Sequence, residues 1–269
     1  MPLVVCPTPI GNLEDVTLRV LRELSEADVV LCEDTRRTRT LLERHGVRAT
    51  LVSYHRHNEA RRIGEILPRL EAGERVALAS DAGLPALNDP GARLISAALE
   101  RGAVVTVLPG PSAIETALVA SGLVAERYAF VGYVPREHDA RARLWTETAA
   151  WDGPVVAFES PRRLPATLAS LAEAAPERPV AVCRELTKRF EEVVRGRAAD
   201  VAARFREAPK GEVTLVVGPP ALRPRAVGDE EAVAAVTELV AAGLPRRRAA
   251  ELVAHLTGLP RNRLYRESL

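Results

Sequence analysis

Cysteine is scarce in this chain of 269 residues, and neither sign of charge dominates. The three cysteines, Cys6, Cys32 and Cys183, each fall in an apolar, strand-like run, and none forms a C-x-x-C pair. Such spacing argues against a metal site and points to buried free thiols in a reducing compartment. Lys+Arg 37 against Asp+Glu 36 leaves a formal net charge of +1, so no global field draws the chain to nucleic acid. No basic stretch followed by about 7–15 apolar residues opens the sequence, so no secretory signal is expected. No run approaches the roughly 20 apolar residues of a membrane span, and the expected location is the cytoplasm. A dinucleotide fingerprint is missing as well. The segment after the first apolar run, Leu3-Val4-Val5-Cys6, carries one glycine, Gly11, where that fingerprint needs three. Pro7 and Pro9 also remove backbone N–H donors that a phosphate cradle requires. This loop suits an uncharged or apolar part of a ligand, or serves as a plain strand–turn–helix connection.

Strands and helices alternate in the first half. Apolar runs at 3–6, 29–32, 51–53, 76–80 and 104–108 are followed by helical patterns at about 18–24, 37–44, 58–70, 91–100 and 113–121. Five such steps with continuous apolar strands predict a parallel sheet covered on both faces. The pattern changes after about residue 120. Strand-like runs at 130–134, 155–158, 180–183, 192–196 and 213–217 have helical patterns only at about 141–149, 164–174 and 198–207. Adjacent strands without an intervening helix predict antiparallel pairing and a mixed sheet. Gly218-Pro219-Pro220-Ala221-Leu222-Arg223-Pro224-Arg225 reads as a linker. Short helices at about 229–241, 246–256 and 261–265, broken by Gly-Leu-Pro turns, resemble a helix-turn-helix. The expected organisation is therefore an α/β domain over 1–120, a second α/β domain over 121–220, and a small helical module over 226–269.

Charge is unevenly placed. Residues 35–62 hold eight arginines (36, 37, 39, 44, 48, 56, 61, 62) against two glutamates (43, 59). Residues 240–269 hold six arginines (246, 247, 248, 261, 263, 266) against two glutamates (251, 267). Such patches contact phosphate backbones or are solvated helix faces.

Several strand ends carry polar residues suited to a site. Asp81, in the long loop 80–91, is placed to accept hydrogen bonds from a ligand amine or hydroxyl. Asp89 before Pro90 reads as a helix cap. Ser112 reads as the cap of the next helix, whose first N–H groups suit a carboxylate. Glu33-Asp34-Thr35-Arg36 follows the second strand, so either acid serves as a proton acceptor, or Asp34 or Thr35 caps the following helix. Phe158-Glu159-Ser160-Pro161-Arg162-Arg163, Arg184-Glu185-Leu186-Thr187-Lys188 and Lys210-Gly211-Glu212 place charge directly after apolar strands, the pattern of a polar cleft.

Eight segments in order, from Thr8-Pro9-Ile10-Gly11-Asn12-Leu13-Glu14-Asp15 through Glu33-Asp34-Thr35-Arg36, Ser80-Asp81-Ala82-Gly83, Leu108-Pro109-Gly110-Pro111-Ser112-Ala113, Phe130-Val131-Gly132-Tyr133, Glu159-Ser160-Pro161-Arg162 and Arg184-Glu185-Leu186-Thr187-Lys188 to Lys210-Gly211-Glu212-Val213-Thr214, resemble the tetrapyrrole methylase superfamily. Within it, they are most similar to the ribosomal RNA small subunit methyltransferase I family, as is the helical tail. The resemblance implies two α/β domains with S-adenosylmethionine in the cleft between them, usually in a homodimer. It implies methyl transfer to the ribose 2′-oxygen of a cytidine in the decoding region of 16S rRNA, with the 30S subunit as partner. It places cofactor contacts at Pro9, Ile10, Gly11, Asp81, Leu84, Leu87, Ser112, Ala113, Leu186, Val213 and Thr214. Leu84 stands where the family usually has Thr, and Leu87-Asn88 stand near its usual Ile-Ser. Candidate catalytic groups are Glu33 or Asp34 as base, Arg36 on a phosphate, and Lys188 beside a developing alkoxide. Two other readings stay open: a methyltransferase of the same fold acting on a corrin or porphyrin precursor, and a non-catalytic RNA-binding protein.

Overall fold

A computed structural model of the chain describes residues 2–220 and 228–269. They divide into two compact units, residues 1–219 and 220–269. The proposed linker falls largely on 221–225, outside the described residues.

The first sheet contains β1 (Pro2–Cys6), β2 (Val29–Cys32), β3 (Leu51–Ser53), β4 (Val76–Ala79) and β5 (Val104–Val107). All pairings are parallel, in the order β3-β2-β4-β1-β5. Its helices are α1 (Leu18–Glu26), α2 (Thr35–Arg44), α3 (Glu59–Glu71) and α4 (Ala92–Glu100). Side-chain alternation divides the strands between two cores. Leu3, Val29, Leu31, Val76 and Leu78 pack with residues of α3 and α4. Val4, Cys6, Val30, Ala77 and Ala79 pack with residues of α1 and α2. The central strands are therefore buried on both faces, as their continuous apolar runs require. β5 departs from that expectation. It lies at the sheet edge, and Val104 and Val107 are 58% and 53% exposed.

The second sheet contains β6 (Ala129–Tyr133), β7 (Val155–Glu159), β8 (Pro179–Arg184), β9 (Glu192–Arg197) and β10 (Val213–Val217), ordered β6-β7-β10-β8-β9. β6 and β7 are parallel and the other pairings antiparallel. One face packs under α6 (His138–Thr148), α7 (Leu164–Ala174) and α8 (Ala198–Arg204), burying Trp145, Leu168 and Val201. The other face is covered by α5 (Ala113–Ser121), whose Ile114, Ala117 and Leu118 join Val156, Ala181, Cys183 and Val216. Sequence order suggests that α5 completes the first sheet. It instead crosses to the second, because its inward side meets that sheet's apolar face. Ile10 of the first loop enters the same core.

The three cysteines are buried and unpaired. Burial pushes the Cys6 thiol up to about 12 and the Cys183 thiol up to about 11, so neither is a thiolate near neutrality. Among the described residues, no helix is long and apolar enough to cross a membrane.

The second unit is a bundle of α9 (Asp229–Ala241), α10 (Arg246–Thr257) and α11 (Arg261–Glu267). Small side chains make the packing close: Ala232, Val236, Ala249, Ala250, Val253 and Leu264 form its core. Gly258, in the left-handed conformation, terminates α10. Arg246, Arg247 and Arg248 open that helix.

Candidate functional site

The site is built where the loops following β1 and β4 meet the loops following β8 and preceding β10. Thr8 and Gly83 exchange both backbone hydrogen bonds at 2.9 Å, fastening the first two loops together. The Thr8 hydroxyl donates to the Ser80 carbonyl at 3.0 Å, and the Ser80 hydroxyl donates to the Gly83 carbonyl at 2.8 Å. Gly11 then passes so close to the second sheet that an added Cβ would lie 2.5 Å from Lys188 Cγ and 2.8 Å from the Leu186 carbonyl. Only glycine tolerates that approach. The Asn12 N–H donates to the Thr187 hydroxyl at 3.0 Å and secures the crossing.

Opposite this crossing is a cavity of about 440 Å³, within the usual range for a small-ligand site. Ile10, Asp81, Leu84, Leu87, Ser112, Ala113, Leu186, Val213 and Thr214, all predicted cofactor contacts, line it together. Pro9 and Gly11 face an adjoining hollow of about 260 Å³, which shares Ile10, Arg37, Asp81, Ala82 and Glu212 with the cavity. Tyr133, Phe158, Cys183 and Ile114 also line the cavity. Their motifs were visible in the sequence, but nothing local shows that these side chains turn inward.

The acidic residues separate into engaged and unengaged groups. Asp34 caps α2: its carboxylate accepts the Arg36 N–H at 2.9 Å and the Arg36 guanidinium at 3.1 and 2.8 Å. Those bonds hold its carboxyl far below the usual carboxylate range. A base is therefore a poor role for Asp34, and Arg36, 88% exposed, is already occupied by it. Asp81 accepts the Asp34 N–H at 2.9 Å and lies 3.5 Å from Arg37, so it orients the start of α2 while lining the cavity. Lys188 bonds Glu185 at 3.0 Å and Glu212 at 2.9 Å. Burial opposes its charge, but the two carboxylates prevail and raise its pKa. Its charge is shared between two carboxylates, a weak setting for stabilising an alkoxide.

Two predicted caps are corrected. Gly91, with φ 136°, occupies the N-cap position of α4, not Asp89. Positive φ at Ala86 and Asn88 turns the loop, so that Asp89 lines the cavity. Ser112 occupies the N-cap position of α5, but its hydroxyl goes to the Glu115 carboxylate rather than to a first-turn N–H.

Asp89 and Glu33 have no hydrogen-bonding or ion-pairing partner among the described residues, and of the two Asp89 lines the cavity. Burial raises its carboxyl to about 6, with the negative charges of Glu33 and Asp81 adding to the effect and Arg56 opposing it. Arg56 donates to the Asn88 carbonyl at 2.6 Å. Glu159, fully buried at the end of β7, is by contrast tied to Arg163 at 2.5 Å and to the Ser160 N–H at 2.6 Å, a structural role.

Comparison with known proteins fits this geometry. A family model described as "Tetrapyrrole (Corrin/Porphyrin) Methylases" matches residues 2–202, and one described as "RsmI C-terminal HTH domain" matches residues 227–269. The chain is 41% identical to a "Ribosomal RNA small subunit methyltransferase I" of Mesorhizobium japonicum, over 99% of this chain and 91% of that relative. It is 44% identical to a protein of the same name from Micromonospora olivasterospora, over 98% of this chain and 85% of the relative. The chain belongs to the ribosomal RNA small subunit methyltransferase I family of tetrapyrrole methylases. The fold is shared with a solved uroporphyrin-III C-methyltransferase from Thermus thermophilus complexed with S-adenosyl homocysteine. That likeness has a TM-score of 0.56 at 21% identity and covers 81% of this chain and 96% of that one.

Asp89 makes a stability prediction. Its folded pKa, about 6, exceeds the 3.8 of an ordinary aspartate. The folded state therefore holds the proton more tightly, and stability falls as pH rises through that window. Denaturant melts of wild type should show this fall between pH 4 and 6, and Asp89→Asn should remove it without losing stability at pH 8.

Proposed function

We propose that this chain uses S-adenosylmethionine to methylate the ribose 2′-oxygen of a cytidine in the decoding region of 16S rRNA, on the 30S subunit. The observation that carries the reading is the convergence on one cavity between the two sheets of nine residues at which the family resemblance places cofactor contacts. The residues present suit the cofactor. Ile10, Leu84, Leu87, Ala113, Ile114 and Leu186 offer apolar walls for a purine and a thioether chain, while Asp81, Asp89 and Thr214 offer acceptors for hydroxyl and ammonium groups. The bound cofactor supplies an electrophilic methyl group on a positively charged sulfur. The chain's task is to position a weakly acidic hydroxyl and take its proton. Glu33 and Asp89 are assigned this task, because Asp34 is committed to capping α2. Asp81 and Arg37 hold the start of α2 at the cavity, so the arginine-rich segment 35–62 borders it. That segment and the arginines of α10 supply phosphate contacts. A homodimer is also part of this reading, supported by the free edge of β5 with exposed Val104 and Val107. Sedimentation at the mass of a single chain would remove it.

Methyl transfer from labelled S-adenosylmethionine to 30S subunits lacking ribose methylation, with the product mapped by mass spectrometry, tests the reaction. A 2′-O-methylcytidine in the decoding region is expected. Label in a base, or in a porphyrin precursor alone, overturns the reading. Arg246→Glu/Arg247→Glu should weaken subunit binding severalfold at low salt, with the defect shrinking as salt is raised and cofactor affinity intact by calorimetry.

The pH–rate profile tests the acids. Wild-type turnover should rise with pH through about 6, where Asp89 loses its proton. Asp89→Asn should flatten that limb and lower turnover by about 10²-fold or more. An unchanged profile with normal turnover would move the proton transfer to Glu33 alone.

A further inference from the structure

The loop that joins β8 to β9 supplies Leu186 to the cavity and Lys188 to the adjoining hollow, and carries near its end a residue no step above uses. Phe190 is 67% exposed. The chain has four phenylalanines, and the exposed ring of this one loses favourable burial in the isolated chain. Its neighbour Arg189 lays its guanidinium carbon 5.5 Å from the ring centroid, a cation–π contact that holds the ring in place. Among the described residues, Arg189 has no carboxylate partner, so its charge is not neutralised. Arg189 also lines a shallow hollow with Arg44, Gly11 and Asn12, continuous with the crossing at Gly11.

This loop is rigid rather than loose. Glu185 and Thr187 have φ of 53° and 63°, values that non-glycine residues adopt at a cost. They are held there by tight bonds: the Thr187 N–H donates to Glu191 at 2.6 Å, and the Lys188 N–H donates to the Glu185 carbonyl at 3.0 Å. The strained backbone turns Arg189 and Phe190 outward directly after the tethered Lys188. Phe190 lies two residues beyond Lys188, at most about 7 Å away along the chain.

We infer that Phe190, with Arg189 beside it, is a stacking platform for an unpaired nucleobase next to the methylated nucleotide. The inference rests on the RNA acceptor proposed above. A flat exposed ring with an unneutralised guanidinium matches how single-stranded RNA is gripped: a π-face for the base and a cation for its phosphate. A protein partner would need an apolar contact only, with no requirement for a planar ring.

The test uses the full chain with Phe190→Ala, Phe190→Leu and Phe190→Trp. Fluorescence anisotropy with a labelled single-stranded RNA of roughly ten nucleotides gives affinity independently of turnover, and KM for 30S subunits gives the same for the natural acceptor. Ala and Leu should weaken both by about tenfold, Trp should restore both, and calorimetric affinity for S-adenosylmethionine should stay constant as a check on folding. RNA affinity unchanged in Ala overturns the platform. Leu matching wild type overturns it in favour of an apolar protein contact, and a change of sedimentation in Ala overturns it in favour of a second copy of the chain. If wild type binds the oligonucleotide but methylates no small-subunit RNA, the proposed reaction fails while the anisotropy series still decides the platform.

Discussion

The cavity depends on how closely two stretches of backbone pass at Gly11. A side chain there would enter the space of Lys188, Thr187 and the Leu186 carbonyl. The two loops would then separate, and with them the walls that Ile10 and Leu186 supply from opposite sheets. Leu186 and Ile10 belong to the same buried cluster as α5, so the crossing is also part of a core. Burial of that cluster stabilises the crossing, and the crossing shapes the site. A residue that looks like a ligand contact in the sequence thus acts first through packing.

Once the loops are fixed, electrostatics divide the acidic residues by role. Asp34, Asp81 and Glu159 each have a donor or cation at hydrogen-bonding distance, and Glu185 and Glu212 share Lys188. Their charges are spent on holding loops and helix starts. Asp89 faces Glu33 and Asp81 with only Arg56 to offset them, and burial removes much of the water that would screen the repulsion. Such an arrangement disfavours the folded state at neutral pH, and one strained turn, with positive φ at Ala86 and Asn88, maintains it. An unpaired, half-buried carboxylate kept at structural expense is the pattern expected of a group used in chemistry.

Much of this was legible in the sequence, for identifiable reasons. Periodicity gave the strands and helices because apolar runs and helical spacing are local. The family resemblance of the ordered motifs supplied nine of the cavity residues, and those after β1 and β4 sit where loops at the ends of parallel strands converge. What was not legible depended on contacts distant in the chain. The docking of α5 on the second sheet is set by the apolar face of β8 and β10, some sixty to a hundred residues downstream. Asp89 and Ser112 have the residue types of helix caps, yet one turn in the left-handed region and one neighbouring carboxylate redirect them. Local preference was outweighed by a tertiary partner in both cases.

Leu84 is the one departure that favours a non-catalytic reading, and its surroundings weaken that reading. The backbone around it is shaped by the paired bonds between Thr8 and Gly83 and by positive φ at Gly83, Ala86 and Asn88. None of these needs a hydroxyl at position 84. The Leu84 side chain joins a wall already formed by Ile10, Leu87 and Leu186, where an added methyl group gains burial and a hydroxyl would need a partner. The polar groups proposed to meet the cofactor and the proton, Asp81, Asp89 and Thr214, lie elsewhere on the cavity surface. Replacing a hydroxyl by an aliphatic chain at this position adjusts how the cavity grips an apolar part of its ligand. It removes neither carboxylate proposed to take the proton.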